Sequence, residues 1–235
     1  MNRLVITIAL ACFVSHGAIA KQYLQDDKWD IAEWKVIRTV KGDLNNDGIS
    51  DTVSVGEEVN RDNLKKNDNY GAKVLNLNPR DLAIIFGTGS GRRGKTFEIN
   101  HFLPSEHSAT QPCLSDPIEG GDGVQIVKGI LEISLRYWYS CGSWETSTVQ
   151  FKFRYEKGRF RLIGLEEFSH MRNSGDATAY STNFLTGKRK VATENVFDPS
   201  VPQKITWQKL ASNRLYYLDE MTPECQASRK GKGLV

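Results

Sequence analysis

Between residues 124 and 193 apolar and polar side chains mostly alternate, and the alternation is interrupted by Lys128-Gly129, Lys157-Gly158 and Thr186-Gly187. A period of two sends successive side chains to opposite faces of a strand and does not suit a helix. Two-residue turns ending in Gly fold such strands back on one another in antiparallel fashion. The pattern predicts strands over 124–127, 130–139, 146–155, 159–168, 180–185 and 188–193. Upstream it predicts strands over 34–40, 52–55, 82–86 and 97–102, with one helical turn at 30–33. Residues 57–71, rich in Asn, Asp and Lys, are expected to be a mobile loop. The expected fold is mainly β: one domain over 21–221, an antiparallel sandwich or open barrel of about ten strands with little helix.

The first twenty residues have the order of an export signal. Asn2 and Arg3 precede an apolar run over 4–14, and a small-residue stretch ends in Ala18-Ile19-Ala20. Cleavage is expected after Ala20, giving a periplasmic or secreted chain. The apolar run spans only about half of a bilayer core. Lipid attachment at Cys12 is the alternative, although Ala9 stands where Leu is usual. No later segment is apolar enough to cross a membrane. Lys plus Arg number 31 against 28 Asp plus Glu, and losing Arg3 with the signal lowers the excess from three to two. Arg229, Lys230 and Lys232, in a tail over 222–235 expected to be disordered, more than account for it. A basic face for nucleic acid is therefore not expected.

Three of the four cysteines follow the signal. Cys113 and Cys141 lie beside predicted strands in loop-like surroundings and are the expected disulfide, which suits an oxidising compartment. Cys225, in the polar tail, is expected to be unpaired. No C-x-x-C pair supports zinc.

The strongest motif is Gly42-Asp43-Leu44-Asn45-Asn46-Asp47-Gly48-Ile49-Ser50-Asp51. Asp43, Asn45, Asp47 and Asp51 offer side-chain oxygens at alternate positions, Ile49 offers its carbonyl, and Gly48 supplies the turn. Calcium, a hard ion that takes six or more oxygens in flexible geometry, suits this set. Ser54 stands where an EF-hand has its bidentate Glu, and the flanks alternate like strands. The expectation is one structural calcium ion in a strand-flanked loop; the same residues also suit a metal-free Asx-rich turn.

This loop, followed by Thr52-Val53-Ser54-Val55, resembles the calcium loop of FG-GAP and VCBS-type repeats of exported bacterial proteins. Ile84-Ile85-Phe86-Gly87-Thr88-Gly89 and Phe97 resemble the later strand and Gly-rich turn of those repeats. Segments 151–155, 160–164 and 181–188 look like a set that recurs in uncharacterised exported proteins carrying such a loop. The resemblance implies export and calcium and assigns no catalytic residue. A propeller would need several such loops, and this chain has one.

Gly89-Ser90-Gly91-Arg92-Arg93-Gly94-Lys95-Thr96 matches the phosphate-loop pattern letter for letter. A phosphate loop opens a helix, whereas 97–102 alternates like a strand. A hairpin without nucleotide is expected, with Arg92, Arg93 and Lys95 free to meet an anionic partner.

On strand 130–139 the alternation turns Leu131, Ile133, Leu135 and Tyr137 inward and Arg136 and Trp138 outward. Arg154 of the neighbouring strand faces outward too, and Trp144 stands at the end of that face. Exposed Trp beside Arg suits a surface that binds protein or sugar; the other reading is a second core layer covered by another strand. Catalytic signals are poor. His101, His107 and His170 lack metal-ligand spacing, His107-Ser108 and Cys141 lack a G-x-S-x-G elbow, and Glu166 and Glu167 face opposite sides of a strand. The expected function is that of a monomeric, exported, calcium-stabilised binding module for an unknown protein or glycan of the envelope or exterior. An envelope inhibitor or immunity-type protein falls within that class. The alternative is a hydrolase acting on a cell-wall or host polymer.

Overall fold

The turns at Lys128-Gly129 and Lys157-Gly158 hold both residues at positive φ, 50° and 77° in the first and 51° and 84° in the second. That is the mirror-image turn whose twist matches paired strands, and each makes a hairpin. The computed structural model describes residues 33–221 apart from 91, 93, 120–122 and 213. The export signal, Cys12, residues 30–32 of the expected helical turn, Cys225 and the 222–235 tail lie outside the described residues.

The strands are β1 (Trp34–Gly42), β2 (Asp51–Glu58), β3 (Leu64–Lys66), β4 (Val74–Asn76), β5 (Arg80–Ile85) and β6 (Thr96–Leu103). They continue as β7 (Val124–Val127), β8 (Ile130–Tyr137), β9 (Glu145–Glu156), β10 (Arg159–Met171), β11 (Asp176–Asn183), β12 (Lys188–Asn195) and β13 (Lys204–Lys209). One sheet runs β1-β2-β5-β6, a second runs β13-β12-β11-β10-β9-β8-β7, and β3-β4 form a small ribbon. Every pairing is antiparallel. The fold is mainly β, and its two larger sheets pack as a sandwich without closing into a barrel.

The core lies where the four-stranded sheet meets the β7–β10 part of the other. Val53, Val55, Leu82, Ile84 and Phe102 face Leu131, Ile133, Leu135, Phe151 and Phe153, all at most 1% exposed. Phe102 meets the rings of Phe151 and Phe153 edge-on at 5.3 and 5.9 Å. Each such side chain contributes about 1.5–3 kcal/mol by leaving water. On one side the sheet edges approach each other. Arg38 Nε donates to the Val124 carbonyl at 2.9 Å, and a Cβ on Gly42 would stand 2.7 Å from Ile126.

The structure corrects the expected mobile loop. Residues 57–71 contain the end of β2, a 3-10 turn (Arg61–Asn63) and β3. Several of their polar groups are bonded to β4, β5 and to backbone carbonyls. Glu57 is buried and accepts from Arg80 and Asn76, Asn78 accepts the Asn60 amide, and buried Asn67 donates to the Tyr70 and Ala72 carbonyls.

Candidate functional site

The acidic loop connects β1 to β2 as the pattern predicts. Asn46 and Gly48 take positive φ, 60° and 82°, so the chain coils back over its own side chains. Asp43 accepts the Gly48 amide at 2.8 Å, Asn45 the Asp47 amide at 3.0 Å, and Asp47 the Ile49 amide at 2.8 Å. Asp51, the first residue of β2, is 0% exposed. Its two oxygens accept the amides of Leu44 at 2.7 Å and Gly87 at 2.9 Å. It has no basic partner among the described residues. In the same residues, no three His, Cys, Asp or Glu side chains form a group able to hold a metal ion as they stand.

The phosphate-loop lookalike is a hairpin. Phe86 and Lys95 are tied by the Phe86 amide to the Lys95 carbonyl at 3.0 Å, and β6 follows at Thr96. Lys95 lies 4.5 Å from the centre of the Phe97 ring and donates to the Gly158 carbonyl.

The outer face of the seven-stranded sheet carries an open hollow of about 780 Å³. Ser134, Arg136, Gln150, Glu166, Phe168 and His170 contribute to its lining. Gln150 Nε2 donates to Ser134 Oγ at 3.2 Å, and Ser181 Oγ donates to Glu166 at 3.1 Å. His170 Nδ1 is buried and has no hydrogen-bond partner among the described residues. Glu167 faces the other side, where burial pushes its carboxyl above its ordinary range against the pull of Arg189 at 3.5 Å.

Beside this hollow, two guanidiniums lie over the Trp138 ring, Arg136 at 5.3 Å and Arg172 at 4.0 Å from its centre. Trp144 is close by and 59% exposed; its carbonyl accepts the Arg172 amide at 2.7 Å. Arg136, Trp138 and Trp144 therefore share one end of the sheet. Arg154 does not join them. It lies six positions further along β9 than Thr148, which pairs with Arg136, a distance of about 20 Å. There Arg154 pairs with Glu156 at 2.7 Å. The Arg161 hydrogen bond, supported by that of Arg154, holds the Glu156 carboxyl below its ordinary range.

Arg172 completes the stack and was not singled out by sequence. It sits in the turn between β10 and β11, where a charged residue reads as solvated, and only the tertiary fold brings it over Trp138.

The Cys113–Cys141 disulfide forms as expected, with Cα atoms 5.6 Å apart. It anchors the crossover that joins the two sheets. Beyond the residues of β8 that pair with β7, Cys113, Ser115, Pro117 and Gly123 of this segment bond to residues 134–140 of β8 and its continuation. The Ser140 amide donates to Cys113, Ser115 to Trp138, Arg136 to Pro117 and Ser134 to Gly123. The disulfide thus fixes the chain that supports Arg136 and Trp138. Among the described residues no helix is long and apolar enough to cross a membrane. Comparison with protein-family models, curated proteins and solved structures finds no match to this chain.

Proposed function

We propose that this chain is an exported binding module that captures a protein or glycan of the cell envelope or exterior on the outer face of its seven-stranded sheet. The observation that carries the reading is the Arg136–Trp138–Arg172 stack, set beside an open hollow and flanked by exposed Trp144. Rigid aromatic and guanidinium groups provide contact area at low entropic cost, and the hydroxyl, amide and carboxylate groups of the hollow provide orientation. The disulfide supports export, because such bridges persist in oxidising compartments.

One calcium ion stiffens the module in this reading. Asp43, Asn45, Asp47 and Asp51 would hold it through side-chain oxygens and Ile49 through its carbonyl. The donors are all hard oxygens, two of them from an amide and a backbone carbonyl. Each amide bond in the loop uses one lone pair of its acceptor and leaves another for a cation. The buried Asp51 carboxylate, with no basic partner among the described residues, favours a cation nearby. Bound calcium supplies positive charge that removes the repulsion among three carboxylates.

The test is capture from the producing cell's envelope fraction by the mature protein and by its Arg136→Ala and Trp144→Ala variants. A saturable partner kept by the parent and lost by both variants is expected. Equal retention by the variants overturns the reading. Turnover of a wall polymer that Glu166→Gln abolishes would replace it with a hydrolase.

A further inference from the structure

We propose that the free edge of β13 docks an extended, acidic segment of a partner protein as an additional strand. β13 is the last strand of the seven-stranded sheet and pairs only with β12 among the described residues. All six of its residues are exposed, including Ile205 at 47% and Trp207 at 67%. The register puts both on one face, with Trp207 beside Lys190 and Ile205 beside Ala192. Val201 and Phe197, in the connection before β13, are exposed as well. A six-residue edge with apolar side chains and an unpaired backbone ladder is a liability that proteins usually blunt, so its persistence points to an occupant.

Charge selects the class of occupant. Lys204 and Lys209 close the two ends of β13, and Lys188 and Lys190 stand opposite on β12. None of the four forms an ion pair among the described residues. Glu145, Asp176 and Glu194 line a hollow beside Lys204, where Gln203 holds Glu194 at 2.7 Å and Ser174 and Asn195 hold Asp176 at 2.7 and 3.2 Å. A second copy of the chain would bring two such lysine sets together, and pairing β13 end to end with itself would set Lys204 against Lys209. An acidic strand neutralises them. Its backbone would complete the ladder, and its alternate side chains would meet Ile205 and Trp207. This docking edge is separate from the Trp138 end of the sheet and does not rest on the function proposed above.

The experiment follows the anisotropy of a fluorescein-labelled peptide of alternating Glu and Val added to the mature chain. Saturable binding is expected. The double variant Lys204→Glu/Lys209→Glu should weaken it about tenfold or more, Trp207→Ala should weaken it, and Trp144→Ala should leave it unchanged. These side chains are exposed, so an unaltered melting temperature shows that the variants fold. The same peptide N-methylated at alternate amides should not bind. Equal binding of the methylated peptide, or indifference to charge reversal, overturns the proposal. Binding to phosphatidylglycerol–phosphatidylcholine vesicles without peptide binding overturns it in favour of a membrane surface. Self-association that excludes the peptide overturns it in favour of a second copy.

Discussion

The Asp51 carboxylate accepts the Gly87 amide at 2.9 Å across 36 positions of sequence. This bond fastens the acidic loop to the Gly-rich turn after β5. A Cβ at Gly87 would lie 2.5 Å from the Ser50 carbonyl oxygen and 2.7 Å from Ile49, so the two segments touch because residue 87 has no side chain. Gly87→Ala should lower stability by about 1–3 kcal/mol, since backbone cannot retreat cheaply. Gly89→Ala, whose Cβ would meet nothing nearer than 3.9 Å, should stay within about 0.5 kcal/mol of the parent. Urea midpoints of the two variants check this directly.

Calcium should raise the melting temperature by a stabilisation that grows with the logarithm of its concentration above the dissociation constant. With a dissociation constant of about 10⁻⁴–10⁻³ M, 10 mM calcium would add about 1.4–2.7 kcal/mol. That corresponds to a shift of about 3–10 °C for a chain of this size. EDTA should reverse it, and Asp43→Asn/Asp47→Asn should abolish it. Asn retains a side-chain oxygen that can accept the loop amides now bonded to Asp43 and Asp47, so the variant should still fold. A melting temperature indifferent to calcium, by calorimetry, removes the ion from the account.

Much of the sheet was legible because burial on one face imposes the period of two. Leu131, Ile133 and Leu135 alternate with polar residues since the core lies on one side of β8 only. β13 lacked that signal for the same reason: neither of its faces is buried, so nothing requires its residues to alternate. The short β3 and β4 were hidden because all three residues of β3 are exposed, so no buried face imposes a period on a stretch whose polar composition reads as solvated loop. In the site, the outward direction of Arg136 followed from strand parity. The placement of Arg172 over Trp138 depends on a turn returning from β10, which no local spacing encodes. The Asp51–Gly87 bond likewise joins two recognisable motifs whose contact only the folded chain reveals.

Stability should depend on pH through Asp81. Burial pushes its carboxyl up to about 6, His101 opposes this, and the charges of Glu98 and Glu58 reinforce it. The unfolded chain binds that proton only near 3.8. Between these values the folded state holds more protons than the unfolded state, so this group's contribution to stability rises as pH falls from 7 through 6 and levels off below 3.8. Asp81→Asn should flatten that part of the profile. At pH 7 it should stabilise by about 1 kcal/mol, a figure reduced for the partial exposure of the group. Parallel pH series of urea midpoints for parent and variant isolate the effect from the other carboxylates.

The sharpest prediction concerns the crossover between the sheets, which is pinned at two points. Arg80, 3% exposed, forks onto Asp116 with both bonds at 2.7 Å and bonds Glu57 at 2.8 Å. Three residues before Asp116, Cys113 is bridged to Cys141. Arg80→Ala leaves two carboxylates short of a partner in a poorly hydrated place and should cost about 3–5 kcal/mol. Arg80→Lys keeps the charge but not the fork and should cost less. Replacing both cysteines by Ser should cost about 3–4 kcal/mol for a closure of this length. Because both devices hold the same segment, their losses should not add; the double-mutant cycle should show a coupling of about 0.5–3 kcal/mol. The cysteine variant should also lose partner capture at Trp138, since the Ser115 and Ser140 bonds that seat that end of β8 come from the tethered chain. Additive losses, with capture intact, would mean that the crossover is not the support of the site.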